Sequence, residues 1–114
     1  MDEKLEKALE FSKYQQTLQV QKDNLKLRLE HMLITKIENA VFNCNMELIN
    51  FIQTCILNKC DSIILLDIHN NPVKIKNLDL WVHNLLSVYN ESYNEYLENY
   101  NNLKKARNVK KVIS

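Results

Sequence analysis

Two stretches, one at each end of this chain, repeat apolar residues at helical and seven-residue intervals. That repeat limits the fold more than any other feature. In residues 78–107, Leu78, Val82, Leu85, Tyr89, Tyr93, Tyr96, Tyr100 and Leu103 recur at steps of three or four, which puts them on one helical face. A helix of about 30 residues is about 45 Å long. A compact domain of this size has a radius of gyration of only about 13 Å. The helix therefore overhangs an ordinary globule, and its stripe needs a partner. Residues 3–30 offer one: Phe11, Leu18, Leu25 and Met32 lie seven apart, with Leu5, Tyr14 and Leu29 near the same seam. Lys13, Gln15, Gln16, Gln19, Lys22 and Lys26 cover the remaining surface. Val82, Tyr89, Tyr96 and Leu103 repeat the heptad in the second helix, so an antiparallel, coiled-coil-like pair is expected.

The middle of the chain reads differently. Leu29, Leu33, Ile37, Val41 and Cys44 keep a helical rhythm, but the runs around Glu38-Asn39 are rich in strand formers. A hairpin over 32–43 is the favoured of these two readings. Asn45 is a good N-cap for a short helix over 46–59, with Leu48, Ile49, Ile52, Cys55 and Ile56 facing inward. Residues 63–76 form a second hairpin, with strands 63–68 and 73–76 about an Asn70-Asn71 turn, and Pro72 where an edge strand begins. Asn77 then caps the long helix 78–107, with Asp79 beside its dipole, and a basic tail follows over 108–114. No linker or repeat divides the chain. The expectation is one domain over 1–114 of α+β class: two long antiparallel helices bridged by one or two β-hairpins and a short helix.

Composition removes several function classes. The 114 residues include no glycine and sixteen asparagines. Phosphate-cradling loops and dinucleotide fingerprints need glycine where backbone approaches the ligand or takes positive φ, so neither is expected. Asparagine, tolerant of positive φ, is expected to make the tight turns. Fifteen basic against fourteen acidic residues give no global field for nucleic acid or membrane. No apolar run approaches the roughly 18 residues of a membrane span. The opening Met1-Asp2-Glu3-Lys4 starts a charged helix without a signal-peptide core, which points to a cytoplasm. Cys44, Cys55 and Cys60 are odd in number and form no CxxC, so reduced thiols are expected.

Each candidate site has a plainer alternative. The tyrosine stripe could stack bases, but Glu91, Glu95 and Glu98 share its segment and no lysine lies between Lys76 and Lys104, which favours helix packing. Lys104, Lys105, Arg107, Lys110 and Lys111 form the one basic cluster and are the candidate partner-binding residues; they also suit a helix C-terminus. Asp67, His69, Cys60, Asp61 and His83 lack any zinc-ligand spacing, and Asp67 and His69 are expected to be solvated beside a turn. Trp81, in the first turn of the long helix, is expected to plug the space between sheet and helices. No catalytic, cofactor-binding or metal residue is assigned.

Leu5-Glu6-Lys7-Ala8-Leu9-Glu10-Phe11, then Leu65-Leu66-Asp67 and Asn71-Pro72-Val73, then Tyr93-Asn94-Glu95-Tyr96 and Leu103-Lys104-Lys105-Ala106-Arg107 resemble small uncharacterised proteins of T4-like phages that infect marine bacteria. The resemblance implies a phage product made in a bacterial cytoplasm or carried in a virion, and brings no catalytic or ligand residue with it. The helix–hairpin–helix plan is also similar in outline to prefoldin subunits. The expected function is non-enzymatic: a protein–protein interaction, assembly or accessory factor (scaffold, chaperone-like or virion-associated), forming homo-oligomers and using no cofactor. The alternative is a nucleic-acid-binding or transcription accessory protein acting through the basic C-terminal segment.

Overall fold

A computed structural model of the chain describes residues 3–113, and the side chains of residues 3–106. The elements follow in the order α1 (Glu3–Met32), β1 (Ile34–Ile37), β2 (Ala40–Asn43), α2 (Met46–Leu57), β3 (Ser62–Leu66), β4 (Pro72–Lys76) and α3 (Leu78–Ile113). The class is α+β, with three helices and two antiparallel two-stranded hairpins among the described residues. The molecule measures 72 × 25 × 22 Å with a radius of gyration of 21.1 Å, far above the roughly 13 Å of a compact chain this long. The overhang expected of the long helices is present.

α1 and α3 run alongside each other in opposite directions. Arg28 near the end of α1 pairs with Glu95 in mid α3 at 2.6 Å, while the earlier Lys22 lies 6.0 Å from the ring of the later Tyr100. Leu18 and Leu29 are the buried residues of α1. In α3 the buried column is Leu78, Leu85 and Ser92, seven apart, together with Trp81. The heptad assigned from sequence, Val82, Tyr89, Tyr96 and Leu103, is only half-buried and forms one flank of that face. α3 also continues through the expected basic tail as far as Ile113. No glycine or proline lies there to end it.

The hairpin at 32–43 is the correct reading of the ambiguous stretch, with Ile34–Ile37 paired to Ala40–Asn43. Glu38 (φ 51°) and Asn39 (φ 68°) are both left-handed, as a two-residue type I′ turn requires. α1 uses residues up to Met32, so the strand starts two residues later than expected. The second hairpin departs further. Leu66 pairs with Pro72, so strand β3 stops short of Ile68, and residues 67–71 make a five-residue loop in place of an Asn70-Asn71 turn. Only Asn70 of that pair is left-handed (φ 63°).

α2 begins on Asn45, whose side chain accepts the Leu48 N–H at 2.9 Å. It ends two residues earlier than expected, in a Schellman motif: Cys60 N–H bonds the Cys55 carbonyl and Lys59 N–H the Ile56 carbonyl, both at 3.0 Å. Lys59, at φ 58°, holds the left-handed position that glycine usually takes. Asn77 is also left-handed (φ 58°), and its backbone carbonyl accepts from Trp81 N–H as α3 starts.

The core lies at one end of the rod, in a head built from both hairpins, α2 and the first turns of α3. Phe42, Cys44, Ile49, Ile52, Ile75, Leu78, Trp81 and Leu85 are its main members. Trp81 packs edge-on against Phe42, ring centroids 5.4 Å apart at 84°. It is the plug between hairpin and helix.

Candidate interaction surface

Asp67 organises the head. Its carboxylate accepts the N–H groups of Asn71 (2.8 Å) and His69 (2.9 Å), closing the β3–β4 loop on itself. It also accepts from the Val41 N–H on β2, while the Ile68 N–H donates to the Val41 carbonyl at 2.9 Å. Asp67 therefore ties one hairpin to the other. The N–H of Asn71, foremost, with those of His69 and Val41, holds its carboxyl below the ordinary value against the opposing pull of burial. The sequence reading placed Asp67 in solvent. It is buried, at 6% exposure.

The other candidate chemistry is dispersed. His69, Cys60, Asp61 and His83 are all exposed, and among the described residues no group of three or more His, Cys, Asp or Glu side chains comes together. Cys44 is fully buried and donates its S–H to the Leu85 carbonyl; burial pushes its thiol pKa up. Burial likewise raises that of Cys55, helped by the neighbouring Cys60 thiol. The α1–α3 seam has an open groove along one side, lined by Gln21, Asn24, Leu25, Arg28, Asn99 and Leu103. Among the described residues no helix is long and apolar enough to cross a membrane.

Strand β3 is where apolar surface and unpaired backbone coincide. Ile64 is 70% exposed and Leu66 61%. Hydrogen-bonding residues alternate along an antiparallel ladder. The Asp67 N–H donates inward to the Asn71 carbonyl, so Leu65 and Ile63 also point their backbone groups at β4. Ile64 and Leu66 then turn theirs outward, on the side where Ile68 meets β2. β4 carries the features that guard an edge, Pro72, Lys74 and Lys76, and β1 carries Lys36. β3 reads Ser-Ile-Ile-Leu-Leu and has none of them.

No protein-family model, curated protein or solved structure matches this chain. The second apolar area runs along α1, where Leu9, Val20 and Leu27 are exposed on the side opposite the buried Leu18 and Leu29.

The basic cluster is only partly in view. Lys104 and Lys105 are exposed, and the Lys104 ammonium lies 5.4 Å from the Tyr100 ring. The side chains of Arg107, Lys110 and Lys111 lie outside the described residues. The tyrosines stack on each other along the helix, Tyr89 on Tyr93 at 4.4 Å and Tyr96 with Tyr100 at 6.4 Å. A hydrogen bond to Tyr89, with burial, raises the pKa of the Tyr93 phenol.

Proposed function

We propose that this protein is a non-enzymatic assembly or accessory factor that binds other protein chains through its head. The observation that carries this reading is β3: an uncharged strand whose outward side chains and outward backbone are both open to a partner. α1 and α3 act as a coiled-coil-like stalk that presents the head at a distance, supported by their opposed directions and the heptads of both helices. On this reading, and on the resemblance of its sequence motifs to phage proteins, it works in an infected bacterium, in the cytoplasm or on the virion. The exposed Lys104 and Lys105 support a second reading, in which the basic segment contacts nucleic acid.

Affinity capture from a host lysate, comparing three forms of the chain, separates the two. The head reading expects specific partners to be lost with Ile64→Lys plus Leu66→Lys and kept when residues 104–114 are deleted. Loss on the deletion alone, with steep salt dependence and nuclease-sensitive recovery, would establish the nucleic-acid reading instead.

A further inference from the structure

We infer that the outer edge of β3 pairs with β3 of a second copy, antiparallel about a two-fold axis at Ile64, joining the two β3–β4 hairpins into one four-stranded sheet. This rests on the head being the interaction surface and names its occupant.

Three observations select this pairing. First, β2 sets the length of the free edge. The Ile68 N–H is already bonded to the Val41 carbonyl, so an incoming strand can cover only Ser62–Leu66. Ile64 is the middle of that stretch, and its backbone points outward with those of Ser62 and Leu66. A two-fold there places Ile64 opposite Ile64 and Ser62 opposite Leu66, making about six new backbone hydrogen bonds in the closely spaced pairs of an antiparallel ladder.

Second, charge favours β3 over the other edge of its own hairpin. Like charges directly opposite each other weaken a strand pair. β4 paired with itself about its centre would set Lys74 against Lys74, and Pro72 has no N–H to give. β3 carries no charge from Ser62 to Leu66, so no like-charged pair falls within the paired strands, and the flanking Asp61 and Asp67 come level with each other only beyond its ends. Third, Ile64 and Leu66 are among the more exposed large apolar side chains of the described residues, and the two-fold brings both pairs onto one face of the new sheet. An isologous contact of this kind closes on itself as a dimer. A five-residue strand from each chain is at the small end of stable interfaces, so association in the micromolar range is expected.

The test uses the full chain with Cys60→Ser to remove the exposed native thiol. Sedimentation equilibrium should show a monomer–dimer equilibrium. Ile64→Lys should raise the dissociation constant by about tenfold or more while leaving the circular dichroism, and the melting temperature measured at concentrations where both chains are monomers, unchanged, because the side chain is mostly exposed. Ile64→Cys should cross-link to itself under mild diamide oxidation, since residues opposite each other in such a pair are about 5.5 Å apart at Cα, within disulfide reach. Lys74→Cys on β4 should not. A dimer that tolerates Ile64→Lys, or a Lys74→Cys chain that cross-links as well as the Ile64→Cys chain, would overturn the pairing. So would a monomer at several hundred micromolar. If that monomer still captures another protein in an Ile64-dependent way, the head reading stands and only the identity of its occupant fails.

Discussion

Asp67 shows how one side chain can determine the shape of the head. A carboxylate that accepts N–H groups from its own loop and from β2 fixes both the five-residue loop and the junction of the hairpins. Because its folded-state pKa is depressed, its contribution is complete above the ordinary carboxylate value of 3.8 and is lost as pH falls through the lowered one. Thermal melts from neutral pH to pH 2 should therefore show Asp67→Asn less stable than the parent at neutral pH, with the two converging in acid. Parallel melts across that range would argue that the charge contributes nothing. The signal for this role was present in the sequence, since Asp commonly accepts the N–H two residues on. What the sequence could not reveal was the third donor, Val41, which is remote in the chain. The thiols titrate in the opposite sense. Burial raises the pKa of Cys44, so its contribution is intact below the ordinary thiol value of 9.0 and is lost as pH rises through the raised one. Under native conditions a maleimide should label the exposed Cys60 quickly and the fully buried Cys44 only at the rate of unfolding.

At the scale of elements, the helices and strands were legible wherever local chemistry decides. Asn45 caps α2 as its residue type predicts, and Glu38-Asn39 turns β1 into β2. The glycine-free composition called for asparagine at left-handed positions, and Asn39, Asn70 and Asn77 occupy three of them. Glu38 and Lys59 occupy two more, where neighbouring hydrogen bonds outweigh residue preference. That tension is measurable. Lys59→Gly relieves the steric cost of a Cβ at positive φ and loses part of the gain to backbone entropy, so it should stabilise the protein by about 0.5–1 kcal/mol in urea unfolding. A loss of stability would mean that the Lys59 side chain makes contributions beyond its backbone. The seam was only partly legible: the apolar stripe named Leu78 and Leu85, which are buried, but its heptad ran through Val82 and the tyrosines, while packing carried the buried column on to Ser92. Ser92 is 5% exposed, a space sized for a small side chain. Ser92→Leu should therefore destabilise by about 1–3 kcal/mol through overpacking, although a heptad read from sequence alone would predict a gain.

The whole molecule divides its labour along its length. The core is concentrated in the head, where two hairpins, α2 and the start of α3 converge on Phe42 and Trp81. The remaining length is two helices whose seam rests on Leu18 and Leu29 of α1, a few half-buried tyrosines, and the Arg28–Glu95 pair. That pair is largely exposed and adds direction more than stability. The elongated outline was legible because helix length is additive in sequence. The edge that stays open was not, because it depends on which side of β3 faces β4. The interaction reading requires that α1 and α3 of one chain satisfy each other, which leaves the head as the surface with unmet pairing capacity. Spin labels at Asn24→Cys and Asn102→Cys, in a Cys60→Ser chain, test this most directly. A short inter-label distance should persist after labelled chains are unfolded and refolded with a large excess of unlabelled chains. Loss of that distance on dilution would show that the helices pair between copies, and would contradict the account.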